Sequence, residues 1–344
     1  METTRFWRPI LGCSLVFWMG AIGFAQDRVT FTPEGASKPL IDTGEILDLT
    51  GTELILRSGA SPRRIPTDRI ERIETQYHRD HLAGEEAFRQ GETAKALSLL
   101  RAALDREPRA WVDREILALI VQADLRQQDL AGAIRDFRVI LTTDPATRHW
   151  GIAPLIWSPQ VVPDALRVEL QKLLSTGTAG EQLIAGSLLL FDPLHGEEAE
   201  RVLHSVSRNT NPMLSATARA QLWRLELASR TVHDVTLERW RDHLVRLPKE
   251  LRPGPQYLYS RGYEVLGDLR MAAAEAMWLP TVYPDNEVLT ARALLDAAEN
   301  LSRTGLNRDA QTLYRELVTR YPWSRDAALA RSRLEQIAPP PAEK

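Results

Sequence analysis

One spacing recurs along the chain and limits what it can fold into. Gly91, Ala96 and Pro108 stand in GETAKALSLLRAALDREP, Gly267, Ala272 and Pro284 in GDLRMAAAEAMWLPTVYP, and Gly305, Ala310 and Pro322 in GLNRDAQTLYRELVTRYP. Each fits G-x4-A-x11-P without a gap, and a fourth copy, QDLAGAIRDFRVILTTDP, keeps Ala133 and Pro145 in register with Gln128 in the glycine position. Repetition at such periods is the mark of stacked supersecondary units that bury a core only against their neighbours. Each residue type has a physical reason. A left-handed turn residue between two helices is cheap for glycine. An alanine lets the second helix approach the first. A proline removes a backbone donor and restricts the residue before it, which ends the second helix. Leu100, Phe137 and Tyr314 supply a large side chain four residues after the alanine, with Ala276 there in the third copy.

These residues resemble tetratricopeptide repeats, over about 77–148 and 253–338. Gly84, Ala103 and Tyr263 add matches, whereas Val121, Ser260 and Ala298 replace the first small glycine of the consensus and no copy opens on its tryptophan. The resemblance implies a mainly α protein, a solenoid of helix hairpins whose first helices line a groove for a partner protein or peptide. Carried over position by position, that groove shows His78, His81, Glu85 and Arg89, then Glu115, Gln122 and Arg126, then Tyr257, Arg261 and Glu264, and finally Arg292, Glu299 and Arg303. His81 and Glu85 occupy positions where the chaperone-tail-binding subclass has lysine and asparagine, so that specificity is not implied. The mixed charge suits a folded protein surface or an extended segment. Residues 288–338 also resemble the repeats of bacterial envelope-assembly factors.

The regions flanking the repeats read differently. Residues 1–25 have the form of a signal peptide, with Arg5 and Arg8 ahead of ILGCSLVFWMGAIGFA and small residues Gly23 and Ala25 before Gln26. Export to the periplasm or the medium follows, with membrane association only if the leader stays uncleaved. Cys13 is the only cysteine, so the mature chain has no disulfide, thiolate metal site or cysteine nucleophile. Residues 26–75 read as a small all-β domain resembling SH3-like or Sm-like barrels, with RVTFTP, GEILDLTG, TELILRS, RRIP and IPTDRIERIE as short strands and a hairpin centred on Gly51. At about 50 residues it is near the lower limit for independent stability, so it is expected to lean on the helices. Residues 149–252 are divergent helical repeats: a Pro-rich segment, WGIAPLIWSPQVVP, and then four amphipathic helices. Residues 339–344 are expected to form a disordered tail.

The chemistry-bearing residues point away from catalysis and from cofactors. There is no Gly-rich phosphate loop, no G-x-S-x-G and no H-E-x-x-H. His78, His81 and Glu85 share a helical face but read as a solvated surface rather than a metal set, and His233-Asp234 and Asp242-His243 read as capping or solvated groups. A net charge of −3 argues against non-specific nucleic-acid binding. Of nine tryptophans, Trp111, Trp223, Trp240 and Trp278 are expected in the core, while Trp150 and Trp157 flank the Pro-rich segment. The function expected is a non-catalytic exported scaffold. The alternatives are an envelope hydrolase or lyase with its site between the β-domain and the solenoid, using pairs such as Glu85/Glu86 or Glu197/Glu198, or a self-assembling structural protein.

Overall fold

The computed structural model describes residues 26–337; the expected leader and tail, with Cys13, lie outside the described residues. Five short strands open the fold: β1 (Asp27–Phe31), β2 (Leu40–Leu49), β3 (Glu53–Arg57), β4 (Arg63–Pro66) and β5 (Ile70–Glu74). They form one antiparallel sheet in the order β4-β3-β2-β1-β5. β2 serves two partners, since its first half pairs with β1 and its second half with β3. A register shift between Ile46 and Asp48 bends it there, as a bulge does. The expected short strands and the hairpin around Gly51 are all present.

The rest is helical. α1 (Arg79–Arg89) packs on α2 (Thr93–Leu104), and α3 (Ala110–Gln127) on α4 (Leu130–Thr143). α5 (Asp164–Thr176), α6 (Ala179–Leu189), α7 (Gly196–Val206), α8 (Pro212–Ala228) and α9 (Asp234–Arg246) follow. α10 (Pro253–Leu266) then pairs with α11 (Leu269–Ala276), which α12 (Trp278–Val282) continues, and α13 (Glu287–Arg303) pairs with α14 (Asn307–Arg320) before α15 (Arg325–Ile337) covers the end. No described helix is long and apolar enough to cross a membrane.

The punctuation works as its chemistry predicts. Gly91, Gly267 and Gly305 have φ of 79°, 85° and 84°, and Gln128 adopts the same left-handed turn at 65° without being glycine. Ala96, Ala133, Ala272 and Ala310 are all buried where paired helices meet. Aspartates at the next turn cap the second helices: Asp129 accepts from Gly132 N at 2.9 Å and Asp268 from Met271 N at 3.0 Å. Replacing Ala310 by leucine pushes α14 off α13 and is expected to cost about 1–3 kcal/mol, the usual range for overpacking. A thermal melt checks this, and an unchanged midpoint contradicts the close-packing role.

Three expectations change. The middle segment holds five helices where the sequence reading finds four, because α5 starts directly after Pro163, between the Pro-rich segment and the first expected helix. The second helix of the third copy breaks at Met277, since Pro280 has no N–H for the residue-276 carbonyl and its ring crowds that turn. Trp278 is 48% exposed rather than core, whereas Trp111, Trp223 and Trp240 are buried.

The sheet does lean on the helices. Val29, Phe31, Ile46, Leu54, Leu56 and Ile65 share one apolar cluster with Leu100, Trp111, Ile116 and Ile120. Arg114 of α3, itself buried, pairs with Asp48 and donates to Leu49 O at 3.0 Å, and Gly51 N donates to Asp144 Oδ2 at 2.8 Å. Three further apolar clusters follow along the helices, each built mainly from neighbouring hairpins. That is the nearest-neighbour arrangement of stacked repeat units.

Candidate functional site

The residues carried over from the repeat resemblance divide into two groups. Those of α10 and α13 do meet. Tyr257 is buried and donates its hydroxyl to Asp296 Oδ2 at 2.7 Å; burial and that carboxylate both push the phenol up from its ordinary value. Arg261 pairs with Glu264 and lies 3.4 Å from Asp296, and Arg303 reaches Glu264 at 3.2 Å. Arg292 joins Asp296 at 2.8 Å to Asp326 at 3.5 Å, while Glu299 takes Arg333 of α15 at 3.2 Å. Four guanidinium groups are thus matched by four carboxylates across α10, α13 and α15. Such a face is charged but self-neutralised, and half-exposed pairs of this kind add little stability singly.

The residues of the first two copies do not form one open surface. His81 is buried under Tyr77, with ring centroids 4.5 Å apart, and that burial lowers its pKa. The solvated reading of this histidine is therefore corrected. His78 stands before α1 and caps it, accepting from Asp80 N at 3.2 Å. Glu85 lies 3.9 Å from Arg89, which also pairs with Glu86, so the two adjacent carboxylates are used along the helix. Gln122 donates to Ala118 O at 3.4 Å on its own helix, and Glu115 is taken by Arg148 and by His149 at 3.2 Å. Burial opposes ionisation of Glu115, but these two partners outweigh it and hold the carboxyl down at about 2.

Arg126 is the exception with a long reach. It is buried, donates to Phe88 O at 2.7 Å, pairs with Glu287 at the start of α13, and lies between the Phe88 ring at 3.7 Å and the Trp323 ring at 5.1 Å. The second hairpin is thereby tied to the last one.

No family model, curated protein or solved structure matches the chain. Among the described residues no group of three or more His, Cys, Asp or Glu is placed to hold a metal.

The clearest unsatisfied surface lies in the middle segment. The Pro-rich loop runs from α4 toward α5, and Trp157 in it lies against Gly254 at the start of α10, where a Cβ would come within 2.6 Å of ring atom Cζ2. Beside this ring a pocket of about 470 Å³ opens between the loop, the end of α6, α8 and α10. Val161 and Phe191 line it while remaining 88% and 52% exposed, and Leu194, just past the lining residue Pro193, is 81% exposed. Exposed apolar side chains gathered around one opening mark an interaction site more often than the same residues scattered. Trp150, the other tryptophan flanking the loop, is buried against Phe137 at 5.4 Å. A second, larger cleft of about 1240 Å³ runs along α7, α8 and α9. There burial lowers His243, whose Nε2 lies 3.0 Å from Ala216 O.

The sequence reading missed Val161, Phe191, Leu194 and Arg224. The available signal was the run of prolines at 159, 163 and 193 beside apolar residues, which helices with a fully buried stripe do not need.

Proposed function

We propose that this protein is a non-catalytic scaffold that binds another protein, and that it does so after export. The observation that carries the reading is the gathering of exposed Val161, Phe191 and Leu194 in the segments that join the middle helices. Association is driven by apolar burial at a few anchor side chains. The self-neutralised charged face across α10, α13 and α15 supports a partner that is not strongly acidic or basic. The repeat resemblance supports tetratricopeptide-like stacking, and the basic start and apolar run of residues 1–25 support export to the cell envelope or beyond.

Photo-crosslinking from position 194 in native cells, read by mass spectrometry, tests this. A recurrent protein adduct is expected from that position and from position 161, none from exposed Thr312 on α14, and none from position 194 once Val161 is replaced by arginine. Recovery of monomer alone from both apolar positions overturns the reading.

A further inference from the structure

The pocket beside Trp157 contains a guanidinium without an acid. Arg224 of α8 is 9% exposed, and among the described residues no carboxylate pairs with it. Its Nη1 donates to Ser187 O and to Gln221 Oε1, both at 2.7 Å. Gln221 is held in turn by the Ser187 hydroxyl at 3.0 Å, and that hydroxyl accepts from Ile156 N of the Pro-rich loop at 2.9 Å. This buried chain fixes the guanidinium plane and ties it to the loop. Ser187 O is one of the last carbonyls of α6, so the negative helix end offsets part of the charge, roughly half a unit. The remainder is uncompensated, and burial lowers Arg224 to about 10. The other two cations of the lining have acidic partners: Arg167 lies 3.0 Å from Asp164 and 2.9 Å from Asp192, although its Nε makes no well-directed hydrogen bond, and Arg261 pairs with Glu264 and lies 3.4 Å from Asp296.

What remains of Arg224 is the edge carrying Nε and Nη2. Neither atom donates to a described residue, and neither is sealed from solvent. Two parallel N–H groups on one edge match the two oxygens of a carboxylate. Much of the wall is apolar, although Asp192, Arg167 and Arg261 also line the pocket. The Phe191 ring lies 5.2 Å from Arg224 Cζ, and Trp157, Leu188 and Leu227 complete the apolar part.

We propose that this pocket binds a small organic monocarboxylate with an apolar body, its carboxylate on Nε and Nη2 of Arg224 and its hydrocarbon part against Trp157, Leu188, Phe191 and Leu227. One unpaired positive charge selects a monoanion. A phosphate dianion would bring a second charge into a pocket that holds the Asp192 carboxylate and whose other two cations are already paired, at a desolvation cost. The volume of about 470 Å³ falls in the range of small-ligand sites, roughly 300–1,000 Å³. The site stands whether or not a protein partner covers the rim, so its test is independent of crosslinking.

Calorimetry on the purified protein uses 3-phenylpropionate and octanoate as probes, with 3-phenylpropionamide and octanamide as their neutral counterparts. Inorganic phosphate and a peptide ending in phenylalanine complete the panel. The acids are expected to bind at least tenfold more tightly than the amides, and more tightly than phosphate or the peptide. Arg224→Met is expected to abolish the acid preference while the protein still unfolds cooperatively, because loss of the buried charge offsets the donor lost to Ser187 O and Gln221 Oε1. Val161→Glu, at an 88% exposed rim position, is expected to weaken the acids at least tenfold with no change in melting. Equal affinity for acid and amide overturns the proposal, as does an unchanged acid preference in either variant. Tighter binding of phosphate overturns the choice of monoanion, and tighter binding of the peptide reassigns the pocket to chain ends and overturns the small-molecule reading.

Discussion

Replacing Gly51 by alanine is expected to undock the N-terminal sheet and lower the melting temperature by about 5 °C or more. Gly51 is not in the left-handed region, so alanine could adopt its backbone freely. The obstacle is space. An added Cβ would fall on the Ala146 carbonyl oxygen, 2.6 Å from its carbon and 3.0 Å from the Thr147 carbonyl carbon. All are backbone atoms of the turn just after α4 that no rotamer change can move. Relief requires the β2–β3 turn to lift, and with it go the Gly51 N–Asp144 bond and then the apolar contact between the sheet and α3. Overpacking against rigid atoms costs about 2–3 kcal/mol or more, and each kcal/mol is worth about 2–4 °C in a domain of this order. Gly59 is the control, because a Cβ there meets nothing within 4 Å. Gly59→Ala is expected to be neutral or to stabilise by about 0.5 kcal/mol through the unfolded chain. Thermal melts of both variants, with limited proteolysis between residues 75 and 79, decide the matter. Equal melting of the two variants rules out the close approach.

Arg126→Ala is expected to loosen the tie between the second hairpin and the last, at a cost of about 2–4 kcal/mol. Removing one partner of a fully buried pair costs about 3–5 kcal/mol. The lower range applies here because the Glu287 side chain is 30% exposed and can recover water. The rest of the loss comes from the Phe88 carbonyl, left without its 2.7 Å donor, and from the gap between the Phe88 and Trp323 rings. Arg126→Met refills that gap with an unbranched apolar chain and is expected to cost about 1–2 kcal/mol less than alanine, because the ring contacts are kept while the Phe88 carbonyl and Glu287 still lose their donor. Spin labels on Gln127 of α3 and Val288 of α13 give the geometric readout, since the only native cysteine is Cys13. The distance distribution is expected to broaden in the alanine variant and to stay narrow in the methionine one. A narrow distribution in both, with equal melting, contradicts the tie.

The candidate site was only partly written in the pattern. Tyr257, Arg261, Glu264, Glu299 and Arg303 were found together because position within a repeat predicts which helix faces adjoin. That same regularity gave no sign that their charges cancel, or that Asp296 and Arg333 complete the balance. His81 and Arg126 look alike in sequence, as polar residues on a first helix. One is buried beneath its own neighbour Tyr77 and the other bridges to a residue 161 positions away. The pocket around Arg224 lies in the stretch with no repeat pattern to register it.

The local chemistry of single residues determined the hairpins. A left-handed turn, a small contact residue and a helix-ending proline each act within one or two turns of the chain, so their spacing alone predicts where helices pair, and even Gln128 obeys the geometry its neighbours impose. Strand alternation and turn residues likewise settled the β-domain. Only the tertiary structure decided that Gly51 serves a close approach to the turn after α4, that Arg126 reaches α13, and that Arg224 pairs with no carboxylate among the described residues. Each depends on segments distant in sequence meeting in space. Burial and the identity of a partner set the cost of a buried charge, and neither has a local period.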